Sequence, residues 1–276
     1  MLMVFVDFSN LISRVVDLTR SCWAEDWVVL YAYGSFVRGG MDEWSDIDVC
    51  LIRKSANALS STRSWMTQMY DTFDFQVDPV SLSIDNIGQN APWEISVILL
   101  DLLESSRLLL GEDVRAFISV PTQHKLRLNM SYIALSCVRR LYSIPREDPL
   151  PEPLSIPDIS PARQSPGGHI VWQVATTVIQ LLRAIIFLEM GVICQRKICI
   201  HQYLQRQGEE LLASYCADVL ELRKKVPRFG PLEQVPPLLE RLSLVIPGLT
   251  SRLFEGLTRH GLVDPSYEPG HPLRVV

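Results

Sequence analysis

Between Tyr33 and Leu51 the chain reads YGSFVRGGMDEWSDIDVCL, and the end of that stretch restricts the possible folds more than any other. Asp46 and Asp48 flank Ile47 at the head of a run that continues Val49-Cys50-Leu51-Ile52. Side chains on a strand repeat every two residues, so both carboxylates share one face while Ile47, Val49 and Leu51 share the opposite, buried one. Two carboxylates side by side repel, which raises the cost of ionising both unless a cation lies between them. Oxygen ligands of this kind suit Mg²⁺, which keeps several waters and completes its shell with substrate phosphates. Just upstream, Gly34-Ser35 ends a first strand. A residue without Cβ bends there, successive amides form an anion nest, the Ser35 hydroxyl adds a donor and Arg38 a charged fork. Gly39-Gly40 then lets the chain reverse. Read without function, this is a plain turn and two solvated aspartates on an exposed sheet face, and a lone DxD would fit that reading. Here turn, arginine, second glycine and acidic pair occur together at fixed offsets. The stretch reads as a phosphate nest and a metal-binding pair facing one triphosphate.

Around it, strands and helices alternate. Apolar spacing predicts a helix over 8–22, and Trp27 to Tyr33 (WVVLYAY) reads as a buried strand. A second strand follows over 46–52, a helix over 57–73, a third strand over 75–82, and an amphipathic helix over 93–110 stopped by Gly111 as a C-cap. That order predicts a small α/β layer. A helical pattern returns over 124–142, and then Pro145, Pro149, Pro151, Pro153, Pro157, Pro161 and Pro166 crowd together as a linker or surface loop. Beyond Gly168 nothing reads as a strand; helices are predicted near 169–190, 196–206, 209–225 and 235–260, a bundle. The domain reading is therefore 1–120, a helix and proline-rich linker over 121–166, and a bundle over 167–276.

Charge and composition narrow the partners. A net charge of −5 argues against a broad nucleic-acid footprint and suits a cationic substrate better. Six cysteines without a CxxC pair point to free thiols in a reducing, cytoplasmic setting. The start, MLMVFVDFSN, has no basic segment and carries Asp7, so it does not read as a signal peptide. The longest apolar run, Ile170 to Val192, is broken by Arg183 and Glu189 and reads as a buried bundle helix, not a membrane span.

Gly34-Ser35-x-x-Arg38-Gly39, five residues, then Ser45-Asp46-x-Asp48 resembles in type and spacing the signature of the minimal nucleotidyltransferase branch of the DNA polymerase beta superfamily. The resemblance implies an α+β fold: an N-terminal nucleotidyltransferase-fold domain, a mixed sheet flanked by helices, followed by an all-α bundle. It implies two Mg²⁺ ions, ATP as co-substrate, and a third carboxylate from a later strand. Asp78 in DTFDFQVDPVSLS matches that place, with Asp74 as the substitute; Pro79 marks an edge or strand end. Read without function, Asp78 is a helix or turn cap. Gly34, Ser35, Arg38 and Ser45 fall to the nucleotide. Arg183, Gly191 and Lys197 in LLRAIIFLEMGVICQRKICIHQYLQR resemble the helical domain of aminoglycoside adenylyltransferases, where a lysine at this place reaches the nucleotide phosphates from the second domain. Arg196-Lys197 also reads as a solvated helix start, and Arg183 as one half of an ion pair with a carboxylate. His169 and Trp172 read as helix-start and core residues, Glu94 and Glu104 as surface residues.

The expected reaction is transfer of AMP from ATP to a hydroxyl of a small, aminoglycoside-like molecule, bound in a cleft between the domains beside the proline-rich segment; this is a route to antibiotic resistance. Glu147, Asp148, Glu152 and Asp158 favour a cationic acceptor mildly. Transfer to tRNA or protein, as in toxin or antitoxin members, and a catalytically silent nucleotide-binding module are the alternatives.

Overall fold

The computed structural model describes residues 8–23, 27–39, 45–54, 59–73, 76–145, 150, 154, 168–226 and 236–262. The chain divides into two compact units, Met1–Pro121 and Thr122–Val276. Asp74, Gly40, most of the proline-rich segment and its four acidic residues lie outside the described residues.

In the first unit, β1 (Val28–Tyr33), β2 (Ile47–Arg53), β3 (Val77–Ser83) and β4 (Arg107–Leu110) form one sheet in the order β3-β2-β1-β4. β1 runs antiparallel to β2 and β4, whereas β2 and β3 are parallel, joined through the crossover helix α3 (Leu59–Phe73). The sheet is thus mixed, and alternation sorts its residues onto two covered faces. Val28, Leu30, Ile47, Val49, Leu51 and Val77 pack against Leu11 and Val15 of α1 (Phe8–Cys22) and Trp65 and Met69 of α3. Val29, Tyr31, Tyr33, Cys50, Ile52 and Leu82 meet Leu99 and Leu102 of α4 (Ser96–Ser105), together with Ile87 and Val114. Both faces of the two central strands are covered, so Asp48 does not lie on an open solvated sheet face.

Two local expectations change. Residues 93–110 are not one helix: Trp93–Ile95 is a 3₁₀ turn, α4 ends at Ser105, and Arg107–Leu110 pairs with β1 as an edge strand. Ser106 is extended and its hydroxyl donates to the Leu102 carbonyl at 2.5 Å, closing the helix end. Gly111 (φ +84°) therefore caps no helix; a Cβ there would overlap the Val28 carbonyl. Gly34-Ser35 is likewise not a simple turn but the start of a one-turn helix, α2 (Gly34–Val37).

Behind the sheet, the Tyr31 hydroxyl donates to Asp113 Oδ1 and accepts from the Val114 amide, both at 2.8 Å. Tyr31→Phe strips the buried Val114 N–H of its acceptor, so the variant is expected to lose about 1–3 kcal/mol in denaturant unfolding.

In the second unit, α5 (Gln123–Leu141) packs against α6 (Gly168–Met190), which also contacts α8 (Glu210–Lys225) and α9 (Pro237–Arg259); α7 (Lys197–Arg206) packs on α8. Among the described residues, Ile170–Met190 is the helix long and apolar enough to cross a membrane, and 72% of its apolar window is buried within the fold. Arg252 ties three helical segments together: its guanidinium donates to Glu189 at 2.6 Å and to Glu209 at 3.2 Å.

Candidate functional site

The site forms where β1 ends and β2 begins. Antiparallel register sets Tyr33 opposite Asp48, and parallel register sets Asp48 beside Asp78. The Ile47 amide, donating to the Gln76 carbonyl at 2.8 Å, fixes that second register. Aligned residues on neighbouring strands point to one face, so Tyr33, Asp48 and Asp78 make a row across three strands. Asp46 and Ser45 lie just ahead of β2 and are half-buried, as is Asp48; Asp78 is exposed on the edge strand. That edge position is where a proline such as Pro79 is tolerated.

Gly34 is the close neighbour of Asp48. It is buried with φ +73°, and a Cβ built on it would overlap Asp48 Oδ2 and sit 2.8 Å from Asp48 Cγ. The glycine is required twice over, by its left-handed backbone and by the carboxylate that fills the space of its missing side chain. Ser35 follows half-buried in the same turn. Arg38 closes it, its amide donating to the Gly34 carbonyl at 3.3 Å.

Electrostatics mark the same place. Burial, then the charges of Asp46, Asp78 and Asp101, push the Asp48 carboxyl well above its ordinary range, with Arg38 pulling the other way. Burial first, then Asp48, Cys50, Asp78 and Asp101, keeps the Tyr33 hydroxyl protonated. Tyr70 of α3 donates to Asp78 Oδ1 at 3.4 Å, and its own hydroxyl is pushed up by burial, by Asp78 and by Asp46. Strongly displaced carboxyls of this kind concentrate at functional sites.

Among the described residues no group of three or more His, Cys, Asp or Glu side chains is gathered tightly enough to hold a metal ion unaided. The aspartates are not a closed cage. They are a repelling set of oxygens around Asp48, which is the donor chemistry that fits a magnesium ion sharing its shell with waters and phosphates.

Three residues here escape sequence reasoning: Tyr33, Tyr70 and Asp101. Asp101 carried a readable signal, a lone acid in the apolar run ILLDLL. Glu94 and Glu104 are exposed, as expected.

In the helical unit Lys197 is the first residue of α7, half-buried, and its carbonyl accepts from Cys216 Sγ at 3.6 Å. Arg196 precedes it as the N-cap residue. Arg183 donates to the Gln195 carbonyl at 2.5 Å. The guanidinium's fork geometry allows it to hold the segment leading into α7. Trp172 is half-buried on α6.

Residues 17–99 match the family model described as nucleotidyltransferase domain. No curated protein sequence matches the chain. Among solved structures, spectinomycin adenyltransferase AAD(9) from Enterococcus faecialis, with ATP and spectinomycin, aligns at a TM-score of 0.58 and 12% identity over 89% of this chain and 99% of its own. That similarity is one of fold: a mixed sheet with flanking helices followed by a helical region. A toxin–antitoxin structure with AMP-PNP covers 47% of this chain and 92% of its own at 16% identity, with a TM-score of 0.29. A mutant of the MntA–HpeT toxin–antitoxin covers the same shares at 15% identity, with a TM-score of 0.31.

Proposed function

We propose that this chain, whose residues 17–99 match the nucleotidyltransferase domain, transfers AMP from ATP to a hydroxyl of a small molecule. The family match supports a transferase, and the AAD(9) neighbour, solved with ATP and spectinomycin, supports ATP and a small acceptor. The observation that carries the reading is the row of Asp48 and Asp78 in register, with Gly34 pressed against the first carboxylate.

In this reading Asp46, Asp48 and Asp78 would hold two Mg²⁺ ions, which when bound neutralise phosphate charge and favour in-line displacement at phosphorus. Gly34, Ser35, Arg38 and Ser45 bind the triphosphate and take up charge that develops on departing pyrophosphate. Asp78, exposed at the sheet edge, accepts the proton of the acceptor hydroxyl, a role that needs hydrogen-bond reach to that oxygen. Lys197 is assigned to the nucleotide phosphates by the resemblance of its helix.

The test is incubation of the full chain with Mg²⁺, labelled ATP, pooled aminoglycosides, tRNA and cell protein. The expected result is label in the small-molecule fraction with matching pyrophosphate release. Label in tRNA or protein instead would move the acceptor to a macromolecule, and no label in any fraction would leave a silent nucleotide-binding module.

A further inference from the structure

Arg38 is the cation of the phosphate turn, yet its side chain leaves that turn and crosses to α4. There Nη1 donates to Asp101 Oδ1 at 2.9 Å and to Ser105 Oγ at 3.1 Å. Asp101 and Ser105 stand four residues apart on one helix, hence on one face. The pair is withdrawn from water: the Arg38 and Asp101 side chains keep 12% and 13% of their exposure. Asp101 itself lies between Leu99 and Leu102, both in the core beneath the sheet. An ion pair in such a place gives up hydration, a loss that can exceed its mutual attraction. A hydrophobic residue at position 101 would serve packing better, so stability alone does not account for the acid.

Its effect on the neighbouring turn does. A free arginine side chain carries rotamer entropy, and a ligand that must immobilise it loses affinity in doing so. Held by two acceptors before any ligand arrives, Arg38 has already lost that freedom. The guanidinium is already withdrawn from solvent and fixed on α4 before any nucleotide binds.

We propose that Asp101, with Ser105, is a positioning residue that fixes Arg38 for the nucleotide phosphates and pins the Gly34–Val37 turn to α4. The proposal rests on the nucleotidyltransferase reading of the site. Asp101 acts through Arg38 and touches no substrate itself.

The experiment is calorimetric titration of the full chain with a non-hydrolysable ATP analogue and Mg²⁺, so it does not depend on knowing the acceptor. Asp101→Asn is expected to weaken binding about tenfold, the scale of one charge-assisted hydrogen bond, and Arg38→Ala at least as much. The double variant should bind no more weakly than Arg38→Ala alone, because the second loss has nothing left to act through. Ser105→Ala, which leaves the charges in place, should weaken binding about two- to threefold in the Arg38 background and not at all in the Arg38→Ala background. It keeps the test decisive if thermal melts show Asp101→Asn misfolded. A purely structural Asp101 would lose affinity equally in both backgrounds, and that result overturns the proposal, as does wild-type affinity in Asp101→Asn. If wild-type protein binds no nucleotide, the reading of the whole site falls first; if it binds and Asp101→Asn binds equally well, only this inference falls.

Discussion

Asp48→Asn is expected to abolish pyrophosphate release from Mg²⁺-ATP, if the proposed transfer holds, and at the same time to raise the melting temperature of the nucleotide-free protein. The first half follows from position. Asp48 is the centre of the row, beside Asp78, across from Tyr33 and in contact with Gly34. Turnover should fall on the order of 10³-fold or more, the scale of removing one member of a catalytic unit. The second half follows from sign. Burial and the charges of Asp46, Asp78 and Asp101 raise the carboxyl's pKa in the fold. A carboxyl whose folded pKa is raised takes stability away as pH climbs past its unfolded value of about 3.9. An amide of the same shape carries no such penalty, so at neutral pH the variant should melt about 2 °C or more above wild type. Pyrophosphate assays paired with calorimetric melts decide the matter. Wild-type turnover ends the catalytic assignment, and a lower melting point ends the claim of stored repulsion.

Gly34→Ala has the second largest expected effect, and here stability and activity fall together. The new Cβ would overlap the Asp48 carboxylate, and φ +73° sets alanine in a conformation that costs about 1–2 kcal/mol by itself. Gly39 supplies the internal control. It has φ +66°, yet a Cβ there meets nothing within 4 Å. Gly39→Ala should therefore show the backbone cost alone and keep most of its turnover, while Gly34→Ala displaces Asp48 and loses activity by about 10²-fold, as misplacement of reacting groups by an ångström does. Equal losses in the two variants would show that backbone strain, not the carboxylate, is what the glycine serves.

The parts of this molecule visible from its residues are those with a period. Apolar spacing locates α1, α3 and the bundle helices, and the DxD repeat locates the head of β2 because one face of a strand cannot be mistaken for the other. Register has no such signature. That Asp48 lies beside Asp78, and not beside a residue one step along, depends on how β2 and β3 slide past each other, which is settled by backbone contacts such as that between Ile47 and Gln76. β4 is hidden for a related reason. Arg107–Leu110 continues the apolar content of α4, so only the paired Ser105 and Ser106 hint at the break, and the partner that makes RLLL a strand is β1, more than seventy residues earlier. Asp101 was legible as an oddity but not as a partner of Arg38, since sixty-three positions separate them.

β3 borders the sheet with a single neighbour, β2. Anything that joins the oxygens of Asp48 and Asp78 therefore acts as a rivet through the outermost plank, making cargo and carpentry one event: the protein's rim is firmest when its bench is loaded.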